Sequence, residues 1–458
     1  HAYDTYTSEL LDRLVSWLSV LGSTVVILSA TLPRRRRLQL IEAYGAIAQA
    51  AEAPYPRITA ATRGEKALSL GTTPSRPEQV VAIEKVADDP GLLATRIADA
   101  VSLGGCAVWI CNTVGRAQAA YEALAYLKSE GAIPEDTELS LLHSRFLRTD
   151  RQRLERSVEG LYGPGESHRP IRGILVGTQV LEQSLDLDFD LMITDLAPVD
   201  LVLQRVGRLH RHERARPSHH EQPRLLLVMP ELQNGAPNFG RIAPVYEHDV
   251  MFRTWWELQA ANEFHIPAEI ENWIERVYGQ AGTTPSDPTL ATQLANAVEE
   301  ASDSRRAAWN EAQGNLVFSP VHGFDEDRFG DTYADLQEDE SGNVCPKLLA
   351  RTRLAEPSLD VVCLWKTEDG FSLTRDGSEL VDTERLPSLA EARAFMEHSI
   401  KIQNWRLAPY EQLVLEPVAW RKSAALRHKK VLLLGEAAEC LGIVLDPNLG
   451  LKLGGIRG

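Results

Sequence analysis

The chain has 458 residues and a formal net charge of −16, with 44% hydrophobic and 24% charged residues. This composition is typical of a globular protein, and the length predicts two or three domains. No run of 18 apolar residues occurs and no leader sequence is recognised, so we expect a cytoplasmic protein without a membrane partner. The five cysteines lack C-x-x-C spacing, which favours a reduced protein without a structural zinc.

The acidic balance argues against nucleic acid as a partner, but a local basic track is enough for binding. Two arginine-dense stretches are present. The first contains Arg145, Arg148, Arg151, Arg153 and Arg156. The second contains Arg205, Arg208, Arg211, Arg214 and Arg216. A solvated helix face is the ordinary interpretation of such a run. The second stretch favours a function more strongly, because its arginines lie within a motif.

Residues 1–76 are predicted to be the end of a first α/β domain. The predicted elements are a helix from Ser8 to Leu18, a buried strand Thr24–Leu28, a helix from about Arg36 and a short strand near Pro56–Thr59. Residues 61–78 contain glycine and prolines that are typical of a connection.

Residues 77–230 alternate regularly between apolar strands and helices. Strands are predicted at 80–83, 107–111, 139–142, 174–176, 191–194 and 225–228, and helices at 92–103, 116–127 and 150–161. Strands that are apolar throughout predict a parallel sheet covered on both faces. Ligands bind such sheets at the carboxyl ends of the strands, so the loops after the strands are the candidate sites.

Residues 231–346 are predicted to be a mostly helical linker region, with an acidic linker at Glu338–Glu340. Residues 347–458 are predicted to form a small α+β accessory domain. Its predicted elements are a strand at 360–365 and helices at 389–400 and 423–440.

Polar residues follow three of the predicted strands. Ser29 and Thr31 frame the tripeptide S-A-T, for which a loop or a helix cap is the alternative interpretation. Asn112 and Thr113 follow the next such strand, and His143–Arg145 follows a third. Short polar side chains and free N–H groups at these loops suit phosphate contacts, although Asn112 and Thr113 are also good helix caps.

A longer motif covers Val176–Asp188. Gly177 allows close approach of the backbone, and Thr178 offers a hydroxyl and an N–H group. Asp186 is placed to orient a polar group at a neighbouring domain.

The last motif is Gln204–His212. On a helix, Arg205 and Arg208 are three residues apart and share a face, and Gln204 lies four residues from Arg208. Two adjacent guanidinium groups repel each other unless an anion joins them. A triphosphate fits this role, and one such arginine finger contributes roughly 10³ to 10⁵ in rate. A basic surface helix is the alternative.

In this order the four segments resemble motifs III, IV, V and VI of superfamily 2 helicases. A narrower resemblance, to the helicase–nuclease of type I CRISPR systems, runs strongly to about residue 230 and loosely to the end. It rests on His1–Asp4 (the tail of a D-E-x-H-A-Y-D box), Leu28–Pro33, Leu142–Phe146, Thr178–Asp190, Leu209–His212 and Asp446–Leu451.

The resemblance implies two RecA-like domains with ATP bound between them. It implies that His1 belongs to the nucleotide-hydrolysis box. It also implies that Ser29 and Thr31 couple hydrolysis to domain movement. The residues expected to hold single-stranded DNA are Asn112, Thr113, His143, Arg145 and Thr178. Those expected to complete the ATP site are Asp186, Gln204, Arg205 and Arg208. The expected catalytic residues are His1, Gln204, Arg205 and Arg208.

The resemblance further implies a 3′-to-5′ DNA translocase that the Cascade complex, with its crRNA, recruits to R-loop DNA. An N-terminal HD nuclease with divalent transition metals degrades that DNA. The chain lacks this nuclease, any G-x-x-x-x-G-K-[ST] loop and the Asp–Glu pair expected before His1. We therefore expect a piece of a longer protein, with most of the Mg²⁺ site upstream and no ATP hydrolysis by this chain alone.

Two alternatives remain open from the sequence. The motifs contact mainly backbone, so an RNA helicase of the same superfamily fits them equally well. A nucleic-acid-binding module without ATPase activity is the alternative from another class.

Overall fold

The computed structural model describes residues 4–49, 52–74, 76–165, 167–182, 185–240, 245–279, 281–316, 319–320, 354 and 358–454. His1, the predicted acidic linker at Glu338–Glu340 and the predicted domain start at residue 347 lie outside the described residues.

The first block contains two helices and one antiparallel pair of short strands. Its elements are α1 (Thr5–Val20), α2 (Arg34–Ala43), β1 (Arg57–Ala60) and β2 (Leu68–Gly71). Helix α1 is capped by Asp4, whose side chain accepts a hydrogen bond from the Thr7 amide at 2.6 Å. Strand β2 lies inside the segment predicted to be a connection.

The predicted buried strand Thr24–Leu28 is wrong. This segment has no strand assignment, and the side chains of Val26 and Leu28 are exposed, with relative accessibilities of 76% and 90%. A strand is stabilised by hydrogen bonds to a neighbouring strand and by burial of its faces. Among the described residues, no strand pairs with this segment, so its apolar pattern alone does not make it a strand.

The central domain contains the predicted alternation of strands and helices. The strands are β3 (Gln79–Val86), β4 (Gly105–Ile110), β5 (Glu138–Leu142), β6 (Arg172–Gly177), β7 (Leu191–Asp195) and β8 (Arg224–Val228). The helices are α3 (Pro90–Val101), α4 (Val114–Ser129), α5 (Arg148–Tyr162) and α6 (Val199–Val206). The prediction of an α/β fold with a parallel sheet is confirmed.

Both faces of this sheet are covered. All six residues of β4 are buried, with Val108 and Ile110 in one apolar core and Ala107 and Trp109 in the other. The alternation of side chains along a strand sends neighbours to opposite faces, so two helical layers bury every position. This explains why the strands are apolar throughout.

The following region is helical, with one further strand that joins the central sheet. Its elements are β9 (Leu232–Gln233), β10 (Ala236–Pro237), α7 (His248–Gln259), β11 (Glu263–Ile266), α8 (Ile270–Tyr278) and α9 (Pro288–Asn315). The sheet order is β11-β3-β8-β7-β4-β6-β5, and β11 is its antiparallel member. The sequence analysis missed β11 because four residues between helices carry little periodicity.

The C-terminal domain is a mixed sheet with short helices. Its strands are β12 (Ser358–Thr367), β13 (Gly370–Ser372), β14 (Leu380–Val381), β15 (Ser399–Gln403), β16 (Val414–Leu415), β17 (Lys429–Leu434), β18 (Val444–Asp446) and β19 (Gly450–Lys452). Its helices are α10 (Leu389–Glu397), α11 (Asn404–Leu407) and α12 (Glu436–Cys440). The predicted α+β class and the strand at 360–365 agree with this arrangement.

The helix predicted at 423–440 is wrong, because this segment contains β17, which runs parallel to β12. Leu432 and Leu434 face one apolar core of the domain and Val431 faces the other. A strand buried on both faces is a short continuous apolar run, and periodicity does not separate such a run from a buried helix.

The hairpin of β18 and β19 attaches the C-terminal domain to the central one. The Leu451 amide donates to the Arg145 carbonyl oxygen at 2.7 Å, and Leu449 packs in a core of the central domain. Gly450 has a φ of +66°, and a Cβ there would lie 2.6 Å from the Arg145 carbonyl oxygen. Only glycine fits this contact, which fixes the hairpin against the loop after β5.

Candidate functional site

The loops after β4, β5 and β6 lie at one edge of the central sheet, because these strands are neighbours and parallel. They contain the predicted residues Asn112 and Thr113, His143 and Arg145, and Thr178. The turn after α6 carries the arginines of the last motif. The sheet thus brings together segments that are up to about a hundred positions apart, as the predicted topology required.

Arg205 lies inside the domain and does not face a neighbouring domain. It is fully buried, its Nε group donates to Glu182 Oε1 at 2.8 Å, and its Nη2 nitrogen lies 2.6 Å from the same oxygen in an ion pair. Its Nη1 group donates to Thr194 Oγ1 at 2.7 Å, and Nη2 also donates to Asn112 Oδ1 at 3.1 Å. The prediction that Arg205 contacts ATP is therefore corrected: in this structure its donors are used within the domain.

Burial works against the charge of Arg205, but the adjacent Glu182 carboxylate raises the pKa of Arg205 above its ordinary value. Burial raises the pKa of the Glu182 carboxyl above its ordinary value, and the charge of Arg205 opposes this rise. Removing one partner of a buried ion pair leaves an uncompensated charge and typically costs about 3–5 kcal/mol.

Helix α6 ends at Val206, so Arg205 and Arg208 do not share a helical face as predicted. Arg208 follows in a turn and is half-buried, and its Nη2 group donates to the Glu182 carbonyl oxygen at 2.9 Å. Its Nε group is buried and has no hydrogen-bond partner among the described residues. Gln204 is half-buried in the last turn of α6.

The second accessible arginine of the motif is Arg211, which the sequence analysis did not assign to the ATP site. It forms an ion pair with Asp186, and Asp186 also lies 3.3 Å from His212. Burial and the charge of Arg211 lower the pKa of Arg208. Arg208 and Arg211 are therefore the pair of neighbouring cations that an anion would join. The spacing of three residues from Arg208 is the signal that could have identified Arg211.

Arg214 and Arg216 have a structural role. Their side chains are almost buried and lie 2.7 and 3.0 Å from the carboxylate of Asp188, which has no exposed surface. Arg216 also pairs with Asp190. The second arginine stretch is therefore not a continuous basic track, because buried carboxylates neutralise its end.

The first arginine stretch is largely a solvated face of α5, as its ordinary interpretation states. Arg151 pairs with Glu155 at 2.8 Å, and the exposed Arg153 pairs with Asp150 at 3.2 Å. Arg145 differs, since it is 9% exposed and precedes the helix. Burial and then the nearby Arg406 lower the pKa of Arg145 to about 10.

His143 holds the loop that carries Arg145. It is fully buried and stacks on Phe146 with a ring separation of 4.5 Å. Its Nε2 group lies 3.1 Å from the Leu449 carbonyl oxygen, and its Nδ1 atom accepts from the Arg145 amide at 3.1 Å. Burial and the charge of Arg145 lower the pKa of His143 to about 3. A neutral, buried His143 positions the loop.

Asn112 and Thr113 also have local roles. Asn112 is buried, and its side-chain amide donates to the Leu196 carbonyl oxygen at 2.7 Å. The Thr113 hydroxyl accepts from the Arg116 amide at 3.3 Å, which confirms the alternative that Thr113 caps α4. Thr178 is 2% exposed, and its amide donates to the Leu142 carbonyl oxygen at 3.3 Å.

Ser29 and Thr31 lie in the first block. Ser29 is exposed and Thr31 is buried, and the Thr31 amide donates to Ser29 Oγ at 3.3 Å. Both line a cavity of about 590 Å³ together with Arg37 and Arg57. These two arginines pair with Glu271 of α8, which ties the first block to the helical region.

Two further findings concern the described residues alone. They contain no group of three or more His, Cys, Asp or Glu side chains placed to hold a metal ion. Nor is any helix within them long and apolar enough to cross a membrane. The accessible Arg208–Arg211 pair fits the phosphates of a nucleotide.

A parallel sheet with polar loops and an arginine pair at its edge defines a RecA-like helicase domain. Two family models match the chain: the C-terminal part of the CRISPR-associated nuclease/helicase Cas3 over residues 103–214, and the Cas3 C-terminal domain over residues 353–451. The chain is a homologue of the Cas3 CRISPR-associated nuclease/helicases and covers their C-terminal helicase and C-terminal-domain regions.

Three similar proteins define the extent of the match. The Cas3 endonuclease/helicase of Thermus thermophilus is 36% identical over 98% of this chain and 53% of its own length. The structure of T. fusca Cas3 with AMPPNP has a TM-score of 0.80 and 28% identity, covering 99% of this chain and 53% of that one. A CRISPR RNA-guided surveillance complex before nicking contains a chain with a TM-score of 0.73 and 26% identity, covering 99% and 56%. This chain thus spans about half the length of these proteins.

Proposed function

We propose that this chain supplies the second motor domain and the C-terminal domain of an ATP-driven helicase that moves 3′-to-5′ on single-stranded DNA. The observation that carries the proposal is the accessible pair Arg208 and Arg211, in the turn after α6, beside the loop that follows β6. The similarity to a Cas3 structure with an ATP analogue supports a nucleotide at this pair.

We assign the phosphate end of ATP to Arg208 and Arg211. Their planar guanidinium groups match phosphate oxygens, and they oppose the negative charge that grows during phosphoryl transfer. Asp186 holds Arg211 in place when no nucleotide is bound, and the half-buried Gln204 lies in the last turn of α6, before both arginines. Catalysis also requires residues that hold the rest of the nucleotide and Mg²⁺, and we assign most of them to a part of the full-length protein upstream of this chain.

The single strand is assigned to the sheet edge formed by the loops after β4, β5 and β6. The backbone N–H groups at the start of α4, a helix of 16 residues, suit a phosphate, with Thr113 as the cap. Arg145 supplies a cation beside this edge. Asn112, His143 and Thr178 contribute by positioning these loops, because each is buried and bonded within the protein.

The wider proposal is that the full-length protein acts in the cytoplasm in a type I CRISPR defence system. The similarity to a chain of a CRISPR RNA-guided surveillance complex supports recruitment by a Cascade complex at an R-loop. Degradation of the DNA is assigned to an HD nuclease with divalent transition metals, outside this chain. Ser29 and Thr31 are proposed to couple hydrolysis to movement. His1 is proposed to take part in hydrolysis.

The deciding experiment measures ATP hydrolysis by the full-length product of the gene with single-stranded DNA, with single-stranded RNA and with neither. We expect strong stimulation by DNA and loss of about 10³-fold in kcat in Arg208→Ala. Equal or greater stimulation by RNA indicates an RNA helicase. Absence of hydrolysis under all three conditions indicates a binding module without ATPase activity.

A second measurement concerns residues 1–458 as a separate protein. Because the chain has no G-x-x-x-x-G-K-[ST] loop, we expect it to show no ATP turnover by itself. Substantial turnover by this protein would contradict the assignment of the remaining catalytic groups to another part of the full-length protein.

A further inference from the structure

Four residues form a continuous chain of contacts from the proposed nucleotide side to the proposed DNA side of the central domain. The Arg208 Nη2 group donates to the Glu182 carbonyl oxygen at 2.9 Å. The carboxylate of the same Glu182 accepts from Arg205 Nε at 2.8 Å. Glu182 thus contacts Arg208 through its main chain and Arg205 through its side chain.

Arg205 continues these contacts to the loop after β4. Its Nη2 group also donates to Asn112 Oδ1 at 3.1 Å, and Asn112 directly precedes the residue that caps α4. The Asn112 carbonyl oxygen accepts from Gln179 Nε2 at 2.9 Å. The loops after β4 and β6 are therefore held to each other by Gln179, and both are held to α6 by the Arg205 guanidinium group.

The hydrogen bonds of Arg205 hold its side chain in one arrangement. All five of its N–H groups have acceptors: Glu182 Oε1 accepts from Nε, Asn112 Oδ1 and the Tyr246 hydroxyl from Nη2, and Thr194 Oγ1 and the Asp195 carbonyl oxygen from Nη1 at 2.7 and 3.0 Å. Inside a protein such a network is rigid, and a displacement of one member shifts the others. A lysine, with three donors at one point, does not reproduce this fork.

We propose that Arg205 is a positioning residue that couples nucleotide engagement by Arg208 to the DNA-binding start of α4, through Glu182 and Asn112. A phosphate that binds Arg208 competes with the Glu182 carbonyl oxygen for the same guanidinium group. The main chain at Glu182 then shifts, and Arg205 transmits the shift to Asn112. This inference rests on the proposed function, and it assigns to Arg205 the communication between the two sites.

The test is the ratio of ATP turnover with and without single-stranded DNA, measured in the full-length protein. For Arg205→Lys we expect this ratio to fall about tenfold, within the usual range of coupling between two sites. The matched control is Arg216→Lys, another buried arginine with carboxylate partners that lies outside this network. It should lower the melting temperature similarly but leave the ratio unchanged, since loss of folded protein lowers both turnovers in proportion.

A second variant tests the same contacts if Arg205→Lys does not fold. Asn112→Ala leaves the Glu182–Arg205 pair intact, and we expect the same fall in the ratio. Where Arg205→Lys folds, the double variant in a double-mutant cycle should show no further fall, because both changes break one connection. An unchanged ratio in Asn112→Ala, or additive falls, would overturn the inference.

Failure of the inference is distinguishable from failure of the proposed function. Stimulation by DNA in the unsubstituted protein with an unchanged ratio in the variants removes the role of Arg205 alone. No stimulation in the unsubstituted protein removes the proposed function and this inference with it. Amide hydrogen exchange at residues 114–116 gives an independent readout: AMPPNP should change the exchange rate in the unsubstituted protein and not in Arg205→Lys.

Discussion

The arginines of the turn 207–211 and those of the segment 212–216 differ in their exposure and in their carboxylate partners. In the segment, the side chains of Arg214 and Arg216 are 4% and 8% exposed and face the buried carboxylate of Asp188. In the turn, Arg211 is 29% exposed and its partner Asp186 is 50% exposed. A buried carboxylate makes an arginine part of the architecture, whereas an exposed one can be exchanged for another anion.

The largest effect is expected at the turn. Arg211→Ala should reduce the kcat of ATP hydrolysis in the full-length protein by about 10³-fold, because one of two charges facing the phosphates is lost. Steady-state kinetics at saturating ATP and DNA measure this, with thermal unfolding as a control for folding. A kcat within threefold of the unsubstituted protein would place Arg211 with the structural arginines.

The opposite result is expected in the segment. Arg216→Ala should lower the free energy of unfolding by about 3–5 kcal/mol, because Asp188 and Asp190 are left buried with less compensation. Urea unfolding of residues 1–458 measures the difference. A loss below about 1 kcal/mol would show that the cluster is solvated and that the two groups do not differ.

Burial also predicts a pH effect at His143. The folded pKa of about 3 lies below the ordinary value of 6.5, so the unfolded state binds the proton more readily. Stability is therefore fully present above pH 6.5 and is lost as the pH falls toward 3. At pH 5 the loss is about 2 kcal/mol. Urea unfolding at pH 7.5 and pH 5 should show this loss, and His143→Gln should remove that part of the pH dependence. An equal pH dependence in His143→Gln would refute the assignment of this loss of stability to His143.

The smallest effect is expected at Asp186. Asp186→Asn removes an exposed ion pair, which contributes about 0–1 kcal/mol, so the free energy of unfolding should change little. Asp188→Asn is the matched buried control and should cost several times more. Equal costs at the two positions would mean that exposure does not separate the turn from the segment.

The sequence predicted the central sheet well because its information is local and repeated. The buried strand β4 is an apolar run followed by a capped helix, with Thr113 as the cap of α4, and Asp89 caps α3 after β3 in the same way. The order of the strands then placed the loops of Asn112, His143 and Thr178 at one edge. The segment 24–28 has the same apolar character but no partner strand among the described residues, and it is exposed.

The sequence did not predict which arginines are accessible. The spacing from Arg205 to Arg208 indicated one helical face, but α6 ends between them at Val206. The partner of Arg205, Glu182, is 23 positions away, and that of Arg216, Asp188, is 28 positions away. Their proximity depends on how the loop after β6 packs beside α6.

By itself, the sequence determined the α/β class, the order of the motifs and the presence of a second domain at the C-terminal end, since these follow from apolar periodicity and local spacing. Tertiary structure alone decided that Arg205 is buried and that His143 is neutral. It also decided that the hairpin around Gly450 reaches the loop after β5. Burial and ion pairing depend on groups far apart in the chain, and only the packed structure brings them within contact distance.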